Sequence, residues 1–132
     1  MKYKNILIIM IITILFTGCS ASKKDELLNE GKLALERHEY TKAQELLSQA
    51  LTADSTNENA RSMYIQAVKM KDAAEYEEKK NYDKAIACLE AIENLKGGSS
   101  DIKHVASKKK KELIKLNEEY KKEQEQRKEK EK

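Results

Sequence analysis

Apolar residues recur every three or four positions along most of this 132-residue chain, as they do on the buried face of an amphipathic α-helix. The sequence has no proline and only 4 glycines, so few positions interrupt helical structure. Lys, Glu, Ala and Leu, all good helix formers, are abundant. We therefore predict an all-α protein, with helices over about residues 22–37, 41–53, 57–80, 83–96 and 99–120.

The starts and ends of these helices are predicted from residues that satisfy free backbone groups. Capping boxes pair a Ser or Thr with Glu or Gln three residues later, and a glycine commonly follows the last turn. The predicted caps are the pairs Thr41–Gln44 and Ser55–Glu58, then Asp83, and Ser99 or Ser100 for the fifth helix, with Gly97-Gly98 ending the fourth.

One segment of the chain returns 42 positions later. Residues 39–47, EYTKAQELL, correspond to residues 81–89, NYDKAIACL, with Tyr, Lys, Ala and Leu identical in register. A fixed period with helical patterning on both sides is typical of a helical repeat protein, in which each unit buries one face on its neighbour.

The first unit, residues 24–57, resembles a tetratricopeptide repeat. The positions that carry the resemblance are Leu27, Gly31, Ala34, Tyr40, Ala43, Leu47 and Ala50. The second unit matches at Ala73, Tyr76, Tyr82, Ala85, Leu89 and Ile92, and its first helix is longer at the front. The resemblance implies an antiparallel helix-pair solenoid of two repeats, over about 24–57 and 58–98. A long helix at 99–120 is expected to cap it.

The last residues, 121–132, are Lys, Arg, Glu and Gln only. With no apolar face to bury, this tail is predicted to be a frayed charged helix or disordered. Its basic residues could lie along anionic lipid headgroups, although the interleaved acidic residues favour a solvated helix.

The N-terminus has the pattern of a secretory signal. Lys2 and Lys4 precede an apolar run, 6–16, that is too short for a membrane span of about 20 residues. Its end, LFTGCS at 15–20, resembles the bacterial lipobox. The resemblance implies a lipoprotein signal peptide over 1–18, a diacylglyceryl group on Cys19 and a lipidated tether over 19–23. The expected location is then the extracytoplasmic face of a bacterial membrane.

Charge and cysteine content narrow the function. The formal net charge is +3 and falls to about +1 once Lys2 and Lys4 leave with the signal, so nucleic acid is not an expected partner. With Cys19 acylated, Cys88 has no intramolecular disulfide partner. We expect Cys88 to be a free, half-buried thiol; an intermolecular disulfide is the alternative.

No motif in the sequence points to catalysis. His38 and His104 lie far apart, and the chain has no metal-ligand spacing, phosphate-binding glycine loop or nucleophile motif. We expect no enzyme activity, no cofactor, no metal and no small-molecule substrate.

The tetratricopeptide resemblance implies a partner-binding groove on the first helix of each repeat. Apolar residues at such positions, Met70 among them, would suit an adaptable contact surface. The alternative is that they pack against neighbouring helices. The expected groove residues are Leu28, Asn29, Lys32, Leu35, Glu36, Met70, Lys71, Ala74, Glu77 and Glu78.

These observations favour a membrane-tethered protein–protein interaction module, an adaptor or assembly factor for an envelope protein or peptide. A self-associating structural spacer of the cell envelope is the alternative.

Overall fold

The computed structural model describes residues 18–131 of the chain, and side chains from Lys23 onward. This part of the chain is helical and contains no strand, so the all-α prediction is confirmed. Each helix packs against the next one along the chain, and α1 also contacts α3 and α5. The helices are α1 (Gly18–Glu36), α2 (Tyr40–Ala53), α3 (Glu58–Glu78), α4 (Tyr82–Glu93) and α5 (Ser100–Lys130).

The helix caps differ from the predicted ones in three places. Asn57 caps α3 by accepting a hydrogen bond from Ala60 N at 2.9 Å, so the Ser55–Glu58 box is wrong. Asn81 caps α4 in the same way, and Asp83 lies inside the first turn. The Thr41–Gln44 box is also wrong. The N-cap residue of α2 is Glu39, and its side chain forms no capping hydrogen bond. Of the two candidates for α5, Ser99 is the cap.

The turns that lead into α2 and α4 share one backbone conformation. His38 has φ 64° and Lys80, 42 residues later, has φ 54°. The amide that follows each donates to a carbonyl five residues back: Glu39 N to Ala34 O at 2.9 Å, and Asn81 N to Tyr76 O at 2.8 Å. This is the hydrogen bond of a Schellman helix end, so the sequence repeat corresponds to a repeated structural turn.

Small residues bring α1 and α2 into close contact. A Cβ atom built on Gly31 would lie 2.8 Å from Cδ2 of Leu47, so only glycine allows this approach. Leu47 and Ala43 are fully buried, as are their counterparts Leu89 and Ala85 in α4. The core is therefore built from the same repeat positions in both helix pairs.

The loop between α4 and α5 is held against α3 by polar side chains. Gln66 is fully buried; its Nε2 donates to Ser99 O at 2.9 Å and its Oε1 accepts from Ser99 N at 2.8 Å. Ser99 Oγ in turn donates to Glu36 Oε1 at 2.9 Å. Gln66 of α3 therefore fixes the start of α5, and Ser99 also links this loop to α1.

Helix α5 continues well beyond the predicted capping helix. Its buried residues are Ile102, Ala106, Leu113 and Asn117. Leu116 lies three residues after buried Leu113, a spacing typical of one helix face, yet it is 42% exposed. Asn117 takes that place because its Nδ2 donates to Asp83 Oδ1 at 2.7 Å. The helix extends into the charged tail as far as Lys130.

Candidate functional site

A concave groove of about 300 Å³ lies between α3 and α5, with Tyr40 at the start of α2 on its third side. Its floor and walls are mostly apolar, and most of them belong to the hydrophobic core or pack on it. An apolar concavity with a few charged groups at its edge is the usual form of a binding site. The lining residues are Tyr40, Met70, Ala73, Ala74, Glu77, Leu89, Val105, Lys109 and Leu113.

One ion pair crosses the groove. Lys109 Nζ on α5 donates to Glu77 Oε1 on α3 at 2.8 Å, with 38% and 30% of these side chains exposed. A pair this exposed contributes about 0–1 kcal/mol, so a ligand can displace it at little cost. Lys109, which interrupts the apolar spacing of α5, is thus a link between helices.

Tyr40 closes the third side with its ring half-buried. Its hydroxyl shares a 2.8 Å hydrogen bond with Nδ1 of His38. Burial raises the pKa of the Tyr40 hydroxyl, so it stays neutral at physiological pH. The ring therefore adds a neutral, amphipathic surface to the groove.

Three of the predicted groove residues line this concavity. Met70 is nearly buried at its floor, Ala74 is exposed at its edge, and Glu77 belongs to the ion pair. The others lie elsewhere. Asn29, Lys32, Lys71 and Glu78 are exposed on α1 and α3, and Leu28 packs on the core.

Two of the predicted groove residues have structural contacts instead. Leu35 is fully buried in the hydrophobic core, so its side chain is not accessible to a partner. Glu36 accepts the hydrogen bond from Ser99 and lies 3.8 Å from Lys32 Nζ. The end of α1 thus supports the loop before α5.

Sequence reasoning missed the contribution of α5 to the groove. Val105, Lys109 and Leu113 recur at four-residue spacing on one side of this helix, and that spacing was the available signal. Tyr40 and Leu89 were named as repeat positions, but nothing local indicates that they meet at a concave surface.

A second concave surface, of about 460 Å³, lies between the α3–α4 turn and the distal half of α5. It is mainly polar. The Asp83 carboxylate there accepts hydrogen bonds from Lys121 and Asn117, which hold its pKa below the usual value. Tyr82 and Tyr120 meet edge to face, with ring centroids 5.6 Å apart. These contacts hold α5 against the α3–α4 turn.

Cys88 is more buried than predicted, with 8% of it exposed. Burial raises the pKa of the thiol. Lys69 lowers this pKa and Asp72 raises it, both by less than burial does. A raised pKa lowers the thiolate fraction and therefore the reactivity.

The predicted signal peptide, 1–18, lies outside the described residues except for Gly18. Cys19 follows in the first turn of α1, so the helix begins about four residues before the predicted start near Ser22. None of the helices within residues 18–131 is both long and apolar enough to cross a membrane.

In the part of the chain that the structure describes, no three His, Cys, Asp or Glu side chains are grouped to hold a metal ion. Comparison with protein-family models, curated proteins and solved structures finds no match to this chain.

Proposed function

We propose that the protein is a membrane-tethered interaction module that docks a peptide or helix of an envelope protein in the groove between α3 and α5. The observation that carries the proposal is the apolar concavity lined by Met70, Ala74 and Leu113. An amphipathic helix or extended segment would insert apolar side chains into the groove and displace water from this surface. It would also separate the Glu77 and Lys109 side chains, which pair across the groove.

The proposal includes a solenoid of two tetratricopeptide-like repeats capped by α5. The repeated turns at His38 and Lys80 support this arrangement. So do the close helix contacts, since Ala43 and Ala85 are both fully buried and Gly31 corresponds to buried Ala73. In such a solenoid, α1, α3 and α5 would share the inner face, where the groove lies.

The tether is proposed from the lipobox-like residues 15–20. Lipidation of Cys19 with two or three acyl chains would give stable anchoring, because each buried methylene contributes about 0.8 kcal/mol. Radiolabelled palmitate should label the protein in living cells, and Cys19→Ser should abolish the label. Persistent labelling of Cys19→Ser would contradict the anchor.

The groove is tested by site-specific photo-crosslinking in living cells. A photoreactive amino acid replaces Ala74 at the groove, or Ala87, an equally small exposed residue on α4. Val105, on the α5 wall of the groove, is a second test position. We expect a discrete adduct with one envelope protein at Ala74, absent at Ala87.

A groove variant completes this test. Ala74→Trp should fill the concavity and abolish the adduct formed from Val105, whereas Ala87→Trp should leave that adduct unchanged. Equal labelling from Ala74 and Ala87 would show that α3 and α5 offer no docking site.

One observation favours the alternative of a self-associating spacer. Helix α5 has 31 residues, about 46 Å, and exposes Ile114 at 40% and Leu116 at 42%. A second copy packed on these residues would form an extended pair. Sedimentation velocity decides: a monomer at all concentrations contradicts the spacer, and a dimer lost in Ile114→Glu supports it.

A further inference from the structure

The groove between α3 and α5 leads to an exposed apolar residue farther along α5. Val105 and Lys109 line the groove, and Leu116 follows them after eleven and seven residues. At 100° per residue, Leu116 lies within about 20° of both around the helix axis and about 16 Å beyond Val105. Leu116 is 42% exposed. A partner that fills the groove and follows α5 for about three turns therefore reaches Leu116.

The groove offers few hydrogen-bond partners for the backbone of a bound segment. Its polar lining groups are the Tyr40 hydroxyl, Glu77 and Lys109, and the other lining residues are apolar. The described helices present no strand edge. An extended peptide would leave most of its N–H and C=O groups unpaired against this surface, which is costly. A helix pairs its own backbone groups, so the groove suits a helix better than an extended segment.

Glu77 and Lys109 are the two charged residues of the lining, one on each wall, with Oε1 and Nζ 2.8 Å apart. An apolar side chain that reaches the floor beside Met70 has to separate them. Lys109 then has Glu112 three residues later on its own helix, a spacing at which side chains pair. Glu77 has alanines three and four residues earlier and lies one residue before the end of α3. Glu77 is therefore the charge left for the partner.

The exposed residues beyond the lining are mixed in sign. The α3 edge carries Lys71 and Glu78, and the α5 edge carries Lys108 and Glu112. Neither edge therefore attracts one sign of charge along the whole partner. The complementarity is local: a basic side chain on the α3 side of the bound segment can pair with Glu77.

We propose that the partner in the groove is an amphipathic helix of about three turns with a basic residue on one side of its apolar stripe. One apolar side chain enters the cavity beside Met70, a second packs on Leu116, and the basic residue pairs with Glu77. The inference rests on the groove in the proposed function and names the kind of partner that occupies it.

The test uses the full-length protein in living cells, with photoreactive benzoylphenylalanine as the probe at Val105, Leu116 or Ile114. Leu116 and Ile114 are matched positions, because they are 42% and 40% exposed but lie about 160° apart around α5. We expect the same envelope protein to be linked at Val105 and at Leu116, and not at Ile114.

The linked residues of the partner distinguish a helix from an extended segment. The 16 Å between Val105 and Leu116 correspond to about 11 residues of helix but only about 5 residues of extended chain. Peptide mapping by mass spectrometry locates the partner residue linked at each position. We expect the two linked residues to be about 11 apart in the partner sequence, and a separation of about 5 would overturn the helix.

Two charge variants test the basic residue. Glu77→Lys and Lys109→Glu each replace the ion pair by two like charges across the groove, so the two variants are matched in their effect on the fold. Glu77→Lys presents two positive charges to the partner, and Lys109→Glu presents two negative ones. We expect about ten times more adduct at Leu116 in Lys109→Glu than in Glu77→Lys. Equal amounts, or the opposite order, contradict a basic partner.

The remaining outcomes separate this inference from the groove itself. An adduct at Val105 with none at Leu116, or equal adducts at Leu116 and Ile114, overturns the helix along α5 and leaves the groove standing. The absence of any adduct at Val105 contradicts the groove and this inference together. A second copy of this chain in the adduct overturns the inference in favour of self-association.

Discussion

Gln66 on α3 forms two hydrogen bonds with the backbone of Ser99, the residue that caps α5, and is fully buried as it does so. Its side-chain amide satisfies both the N–H and the C=O of one loop residue. A single buried amide therefore anchors the residue from which α5 begins, and α5 supplies one wall of the groove.

Replacement of Gln66 by leucine should destabilise the protein by about 1–3 kcal/mol, because it leaves the Ser99 N–H buried without a partner, whereas the Ser99 C=O keeps its hydrogen bond from Lys103 N. Urea unfolding followed by circular dichroism measures the effect. Gln49→Leu, at an exposed position on α2, is the control and should change stability by less than about 0.5 kcal/mol. Equal effects would show that the two hydrogen bonds contribute nothing specific.

Gly97 and Gly98 provide a matched pair for testing how closely the loop approaches α3. Both have positive φ, 77° and 81°, so alanine is strained at either by about 1–2 kcal/mol. At Gly98 a Cβ would also lie 2.7 Å from Gln66, whereas at Gly97 the nearest atom is 3.4 Å away. Gly98→Ala should therefore lower the free energy of unfolding more than Gly97→Ala, and equal losses would contradict the close contact.

Acid should weaken the link between the start of α1 and the end of α2. The Asp54 carboxylate lies 2.6 Å from Lys24 Nζ and also accepts from Thr56 N and Oγ1. These contacts, the Lys24 hydrogen bond first, lower the pKa of Asp54 from 3.8 to about 2. The unfolded chain therefore takes up this proton at higher pH than the folded protein does.

The resulting contribution to stability is complete above about pH 4 and is lost as the pH falls to about 2. Asp54→Asn should remove this part of the acid sensitivity in urea midpoints measured from pH 5 to pH 2. Asp101→Asn, an exposed control on α5, should not. An NMR titration that places the pKa of Asp54 near 4 would contradict the ion pair.

Leu116 and Asn117 test which neighbour docks the distal half of α5. Asn117→Ala should cost about 1 kcal/mol and raise hydrogen exchange beyond Leu113, because the hydrogen bond to Asp83 is lost. Leu116→Ala should change stability by less than about 0.5 kcal/mol. A larger loss of stability for Leu116→Ala than for Asn117→Ala would instead support the apolar contact that spacing alone predicts.

The Cys88 thiol should react slowly with Ellman's reagent in the folded protein, because burial limits access and raises its pKa. Cys88→Ala/Ala87→Cys moves the thiol to an exposed neighbour and should react at least about ten times faster. Rapid reaction of native Cys88, or a disulfide-linked dimer in air, would support the intermolecular disulfide instead.

Much of the fold follows from local pattern. The buried faces of the helices appear in the sequence as apolar residues at three- and four-residue spacing, because a helix that buries one side must repeat with its own turn. The 42-residue repeat likewise indicated two equivalent turns, which His38 and Lys80 form. Helix number and type needed no knowledge of how the helices pack.

The residues that meet across helices could not be predicted in this way. Tyr40, Met70 and Leu113 are distant in sequence and share a groove only because α2, α3 and α5 pack at particular angles. Asn59, Ser62 and Gln66 form a polar row on α3, but its meaning depends on a loop more than 30 residues away.

Adjacent residues of a helix point about 100° apart, and a single sequence does not say which of two neighbours faces the partner. The three-residue spacing from Leu113 favours Leu116 over Asn117 as the buried residue. In the structure Asn117 is the buried one, because Asp83 on another helix accepts its hydrogen bond. Sequence alone thus determined the helices and their buried stripes. Tertiary packing decided the caps, the groove and the docking of α5, since each depends on a polar or apolar group contributed from elsewhere in the chain.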